Sequence, residues 1–138
     1  MIEPLRMSFV VECPVDHAFD VWTKATWWPA SHTMTGDPLD VVFEARSGGR
    51  IFERTHDGRE VDFGEVTEVD PPRLIRYLWH MRTDRDNATQ VEITFTDRGD
   101  DTTLVGIEHT GWQTVEWRDR NQAGWDGLLP HYKAACVG

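Results

Sequence analysis

Residues 89–136 read TQVEITFTDRGDDTTLVGIEHTGWQTVEWRDRNQAGWDGLLPHYKAAC, and this stretch decides the fold. From Thr89 to Thr96, Val91, Ile93 and Phe95 alternate with Gln90, Glu92 and Thr94. That is the period of a strand with one buried face. Arg98-Gly99-Asp100 turns the chain, and Thr102 to His109 alternates again, placing Val105, Ile107 and His109 on one face. Thr110-Gly111-Trp112 breaks the pattern. Beyond it Trp125, Leu128, Leu129, Tyr132 and Cys136 recur at helical spacing and form one apolar stripe. Pro130 falls inside that stripe, which predicts a kink or a loosened turn.

Working outward, Leu5 to Cys13 also alternates, with Met7, Phe9 and Val11 on one face. Pro14 ends that strand and suits the start of a helix. Val15, Ala18, Phe19 and Trp22 form the apolar face of a short helix, and Trp27-Trp28-Pro29 stops it, with room for a second helical turn. Residues 30–38 read as a loop. Strands are expected at 39–45, 50–55, 61–69 and 74–81. They are joined by Ser47-Gly48-Gly49, Asp57-Gly58 and Asp70-Pro71-Pro72-Arg73, all turn formers. Gly64 predicts a bulge or bend within its strand, and 83–87 is a polar loop. The order is one strand, a short helical segment, six strands in hairpins and one long helix. Hairpins make the sheet antiparallel. Its apolar face needs a cover, which only the last helix can largely supply. A bent sheet closing on one helix leaves a cleft suited to a ligand.

Composition narrows the function. The 138 residues suit one domain, 1–138, with 39% hydrophobic and 28% charged residues. A net charge of −10 with scattered arginines argues against nucleic-acid binding. No apolar run approaches the roughly 18 residues of a membrane span. Two cysteines, Cys13 and Cys136, show no metal-ligand spacing and read as free thiols. Few cysteines and no leader-like segment favour the cytoplasm. The six histidines form no metal-binding pair, and no phosphate loop or serine-hydrolase motif occurs, so no metal or cofactor is expected. Exposed strand edges leave room for a homodimer. Seven tryptophans in so small a domain point to a concave, partly hydrated interior, or else to a Trp-rich core.

The chain resembles the START-like SRPBCC superfamily. More narrowly, it is similar to bacterial homologues of the C-terminal domain of the activator of the ninety-kilodalton heat-shock chaperone ATPase. The carriers run from Cys13-Pro14-Val15-Asp16-His17-Ala18-Phe19 to Trp22-Thr23 and Trp27-Trp28-Pro29. They continue through Gly48-Gly49-Arg50-Ile51-Phe52-Glu53-Arg54, Gly64-Glu65-Val66 and Asp70-Pro71-Pro72-Arg73-Leu74. His109-Thr110-Gly111-Trp112 follows, with Gly124-Trp125 opening the final helix. Together they cover nearly the whole chain. The resemblance implies an α+β helix-grip fold: a curved antiparallel sheet of about 6–7 strands wrapped round a long C-terminal α-helix, with short N-terminal helices between the first two strands. It implies a central cavity but no single function, since members bind lipids, polyketides or aromatic compounds, act as cyclases or hydrolases, or assist chaperones.

For a small hydrophobic or aromatic ligand, the candidate contacts are Trp28, Trp79 and Trp112, with Trp117 on a lid-like segment at 112–122. Phe52, Phe95, Ile107 and His109 complete the expected wall. Trp22 and Trp125 lie on helical stripes and read as core plugs. His109 is the one titratable group on the inward face of the last strands. It either serves chemistry as a base or acid, with Glu53 as a nearby acid, or simply holds the end of its strand. The shortage of catalytic groups favours binding over turnover. A co-chaperone-like interaction domain is the third reading.

Overall fold

The computed structural model describes residues 2–137. Seven strands form one antiparallel sheet in the order β1-β7-β6-β5-β4-β3-β2. They are β1 (Leu5–Val11), β2 (Asp40–Phe43), β3 (Arg50–Arg54), β4 (Glu60–Asp70), β5 (Leu74–Trp79), β6 (Thr89–Gly99) and β7 (Thr102–Thr110). Helix α1 (Val15–Lys24) and a 3-10 turn (Ala30–His32) lie between β1 and β2, and α2 (Val115–Cys136) closes the chain. This is the expected helix-grip arrangement.

Alternation sets the faces as read. Val91 lies opposite Tyr77 on one side and His109 on the other, and Ile93 opposite Ile75 and Ile107. All of these side chains are buried on the concave face. Gly64 lets two strands approach closely, since a Cβ there would sit 2.1 Å from the Leu78 carbonyl oxygen. The opposite face is polar, with Arg76 bridging Glu68 and Glu92 at 2.6 and 3.3 Å.

Helix α1 follows Pro14 directly, with the Ala18 amide donating to the Pro14 carbonyl. It buries Ala18, Phe19 and Trp22. At its end Ala25 turns left-handed, at φ 56°, and returns its N–H to the Trp22 carbonyl.

One boundary differs from the sequence reading. The final helix opens at Val115 rather than at Gly124-Trp125, so residues 115–122 are its first turns and not a separate lid. Thr114 caps it by accepting from the Trp117 amide, and Glu116 in the first turn suits the helix dipole. Apart from Val115 and Trp117 these turns are polar, so hydropathy does not mark them. The helix then runs through Pro130 as one element.

Helix α2 meets α1 through a cluster of aromatic side chains. Trp22 is fully buried, stacking on Trp125 at 6.2 Å and meeting the edge of Tyr132 at 4.8 Å. The Tyr132 hydroxyl donates to the Ala18 carbonyl at 2.8 Å. Cys13 and Cys136 are buried free thiols in this region. No helix among the described residues is long and apolar enough to cross a membrane.

Candidate functional site

A cavity of about 310 Å³ opens between the sheet and the N-terminal half of α2. That is near the lower end of the range typical of small-molecule sites. Its walls come from five places: the 3-10 turn (Ser31, His32), β5 (Tyr77, Trp79), the following loop (Met81, Arg82), β7 (His109) and α2, with Trp28 beside the 3-10 turn. Helix α2 contributes Trp117, Arg120, Asn121, Gly124, Trp125 and Leu128, which recur at three- and four-residue intervals and so share one face.

The aromatic wall is built in steps. Trp28 sits 5.8 Å from Trp79 and 6.5 Å from Phe63, nearly parallel to the latter at 24°. Its indole donates to the His32 carbonyl at 2.9 Å, which fixes the ring's direction. His32 in turn bridges to the helix, with Nε2 3.2 Å from the Gly124 carbonyl oxygen and Nδ1 3.0 Å from Ser31 Oγ. Because a carbonyl only accepts, Nε2 bears a hydrogen and donates to it.

His109 forms the floor and is fully engaged. Trp125 Nε1 donates to its Nδ1 at 3.0 Å, so Nδ1 must be unprotonated. Nε2 therefore carries the hydrogen and donates to Thr89 Oγ1 at 2.6 Å, and Thr89 passes its own hydrogen to the Trp79 carbonyl. Burial pushes the His109 pKa down to about 3. The ring is thus a neutral strut between sheet and helix. To act as a base it would first have to give up the Trp125 hydrogen bond.

Of the residues expected to line the site, Trp28, Trp79, Trp117 and His109 meet at this cavity. Trp112, Phe52, Phe95, Ile107 and Glu53 are not in its wall. Trp112 lies under His109, 4.2 Å between centroids, and donates to the His109 carbonyl, so it plugs the core. Phe95 packs edge-on against Phe19 at 5.6 Å, and Ile107 is buried in the same core. Phe52 sits beneath the Arg50 guanidinium at 4.2 Å. A register shift between Ile51 and Phe52 leaves Ile51, Phe52 and Glu53 buried in succession, so strand parity fails there. Glu53 accepts from the Met34 amide at 2.7 Å and from both the amide and hydroxyl of Thr35. Its carboxylate pins the loop after the 3-10 turn and is not paired with His109.

The reading of the residues missed Ser31, His32, Tyr77, Met81, Arg82, Arg120, Asn121, Gly124 and Leu128 as lining residues, and Trp125 is both plug and wall. A signal for the helical set existed: positions 117, 121 and 124 continue the stripe of 125, 128, 129, 132 and 136 back by two turns. No group of three or more His, Cys, Asp or Glu that could hold a metal occurs among the described residues.

The grip of a curved sheet on one long helix, with an aromatic cavity between them, defines a START-like domain of the SRPBCC type. The sequence matches the family described as "Activator of Hsp90 ATPase homolog 1-like protein" over residues 12–135, and the chain belongs to it. Among solved structures it is similar to the anthrahydroquino-gamma-pyrone synthase Txn09, at 32% identity and a TM-score of 0.60, covering 80% of this chain and 77% of that one. It is also similar to CalC, a self-sacrificing resistance protein from Micromonospora echinospora, at 29% identity and a TM-score of 0.72, covering 96% and 90%. The Aha1 dimer from Colwellia psychrerythraea shares the fold, at 15% identity and a TM-score of 0.73, covering 98% and 96%. No curated protein matches the sequence.

Proposed function

We propose that this domain binds a small aromatic or otherwise apolar molecule in the cavity between β5, β7 and the N-terminal half of α2. One observation carries the reading. Four of the seven tryptophans (Trp22, Trp27, Trp112, Trp125) are buried, and the three left half-buried, Trp28, Trp79 and Trp117, all line the cavity. Leaving large apolar rings half-exposed forgoes burial worth about 25 cal/mol per Å². A flat ligand stacked among them recovers it. About 310 Å³ suits a molecule of a few fused rings. The name of Txn09 describes a polycyclic aromatic compound, which supports the same class of ligand here. A neutral, doubly bonded His109 and a Glu53 engaged by Met34 and Thr35 weigh toward binding without turnover.

The test uses Gly124→Leu. Gly124 lies on the cavity face of α2, and a Cβ there meets nothing within 4 Å. The leucine would occupy the cavity without straining the backbone. Wild type should show saturable tryptophan quenching and a raised Tm with members of a panel of aromatic, steroid and fatty-acid compounds. The variant should fold at least as well and lose that response. A folded wild type that answers to nothing in the panel, or a variant that binds as before, overturns the proposal.

A further inference from the structure

The charge around the cavity runs against the charge of the molecule. The chain carries a net −10, yet no aspartate or glutamate lines the cavity, whereas two arginines do. Nine of the twelve arginines pair with a carboxylate. Among the described residues the three without such a partner are Arg82, Arg98 and Arg120, and two of these three are the cavity arginines. The acidic neighbours are committed elsewhere or stand apart. Asp119 pairs with Arg118 at 3.2 Å, and Asp84 accepts from the Asn87 side chain at 2.8 Å and from its amide. Glu65 holds Arg85. Glu116, one helical turn before Arg120, makes no ion pair with it.

The two arginines approach the opening from different elements. Arg82 belongs to the loop after β5, next to Met81, at a left-handed position with φ 66°. Arg120 rises from α2 with its guanidinium 5.9 Å from the centre of the Trp117 ring. The half-buried indoles of Trp79 and Trp117 and the side chain of Asn121 line the same cavity. The interior is apolar and the rim is cationic.

Resting on the cavity reading above, we infer that the ligand is an aromatic anion, a planar ring system carrying a carboxylate, sulfonate or ionised phenol that Arg82 and Arg120 hold at the mouth. The rings enter between the indoles, and the anionic group stays at the rim, partly hydrated. There it avoids the cost of full desolvation while gaining charge-assisted hydrogen bonds. A guanidinium suits this place because it can stack on an indole with its face and bind an oxyanion with its edge. The contrast between a cationic rim and a net acidic remainder also selects, since the rest of the surface disfavours anions overall.

A matched pair of probes separates the anionic group from the rings. 1-Anilinonaphthalene-8-sulfonate and N-phenyl-1-naphthylamine share their ring systems and differ by the sulfonate, and both fluoresce in apolar surroundings. Wild type should bind the sulfonate about tenfold more tightly than the neutral amine, the scale expected of charged hydrogen bonds at a partly exposed site. Arg82→Gln and Arg120→Gln should each weaken the sulfonate several-fold and leave the amine unchanged, and the double variant should bring the two probes level. Arg98→Gln removes the third unpaired arginine, near the C-terminal end of β6, and should change neither. Rising salt should weaken only the sulfonate. Equal binding of the two probes, or loss of both together in the arginine variants, overturns the anion inference and leaves the cavity reading standing. Failure of both probes to bind, or binding of both that survives Gly124→Leu, overturns the cavity reading and this inference with it.

Discussion

One face of α2 does two different jobs along its length. Its C-terminal half carries Leu129, Tyr132 and Cys136 into a filled core, where Tyr132 is fully buried among Phe9, Trp22 and Trp27. Its N-terminal half carries Trp117, Arg120, Asn121 and Gly124 over a cavity. Trp125 and His109 mark the junction, joined by the 3.0 Å hydrogen bond. The register of the stripe does not change between the halves; the size and polarity of the side chains do. Stability and the proposed binding are therefore divided along one helix, and substitutions in the two halves should affect different measurements.

The largest effect belongs to the filled half. Tyr132→Ala removes a ring held by edge contacts at 4.8 and 5.3 Å and a hydrogen bond to Ala18. Truncating a buried aromatic costs about 3–5 kcal/mol, because the surroundings close only partly. Urea unfolding should show that loss as a lower midpoint. An equivalent truncation in the open half, Trp117→Ala, removes a ring only partly buried against the core and should cost about 1 kcal/mol, well below the loss at Tyr132, while weakening aromatic ligands. If the two variants were equally destabilised, the division between halves would not hold.

The junction gives the next largest effect, and it depends on pH. The folded protein holds His109 near a pKa of about 3, against an ordinary value of 6.5. Below pH 6.5 the unfolded chain takes up a proton that the folded chain refuses. Stability from this residue is therefore complete above about pH 6.5 and drains as pH falls toward 3, by up to about 1.4 kcal/mol per pH unit. His109→Gln should be destabilised at pH 7 and show a shallower decline between pH 6 and pH 4. Denaturant melts across that range read the difference in slope. Parallel slopes would mean that the ring is protonated in the fold and that the Trp125 bond does not hold it neutral.

These halves were unequally legible in the sequence. Alternation along Val91-Ile93-Phe95 and Val105-Ile107-His109 told which face each residue takes, and the turn formers set the strand order. Parity says nothing about how far along the sheet a side chain sits. Phe95 and Ile107 thus share a face with His109 yet lie in the packed core, Phe95 against Phe19 of α1, and Trp112 tucks beneath His109 instead of facing the cavity. At Glu53 even parity failed, because the register shift buries three successive residues. The cationic rim was illegible for a different reason. Five of the nine paired arginines take a carboxylate eight or more residues away in sequence, and only the folded chain brings those together, so the arginines left without a partner cannot be told beforehand.

The smallest effect compares two glycines three residues apart in α2. Both carry the ordinary cost of glycine in a helix, about 0.5–1 kcal/mol relative to alanine. A methyl at Gly124 meets open space, so Gly124→Ala should recover that amount and raise Tm slightly. A methyl at Gly127 would lie 3.1 Å from His32 Nε2. That nitrogen is 3.2 Å from the Gly124 carbonyl oxygen and the other ring nitrogen is 3.0 Å from Ser31 Oγ, so the ring can retreat only by loosening those contacts. Gly127→Ala should therefore gain nothing or lose stability, and it should disturb the cavity through Trp28, whose indole is bound to the His32 carbonyl. Equal gains in the two variants would show that His32 moves freely and that the 3-10 turn is not fixed to the helix. A gain at 124 alone would place the border between the open and the packed parts of the helix within a single turn.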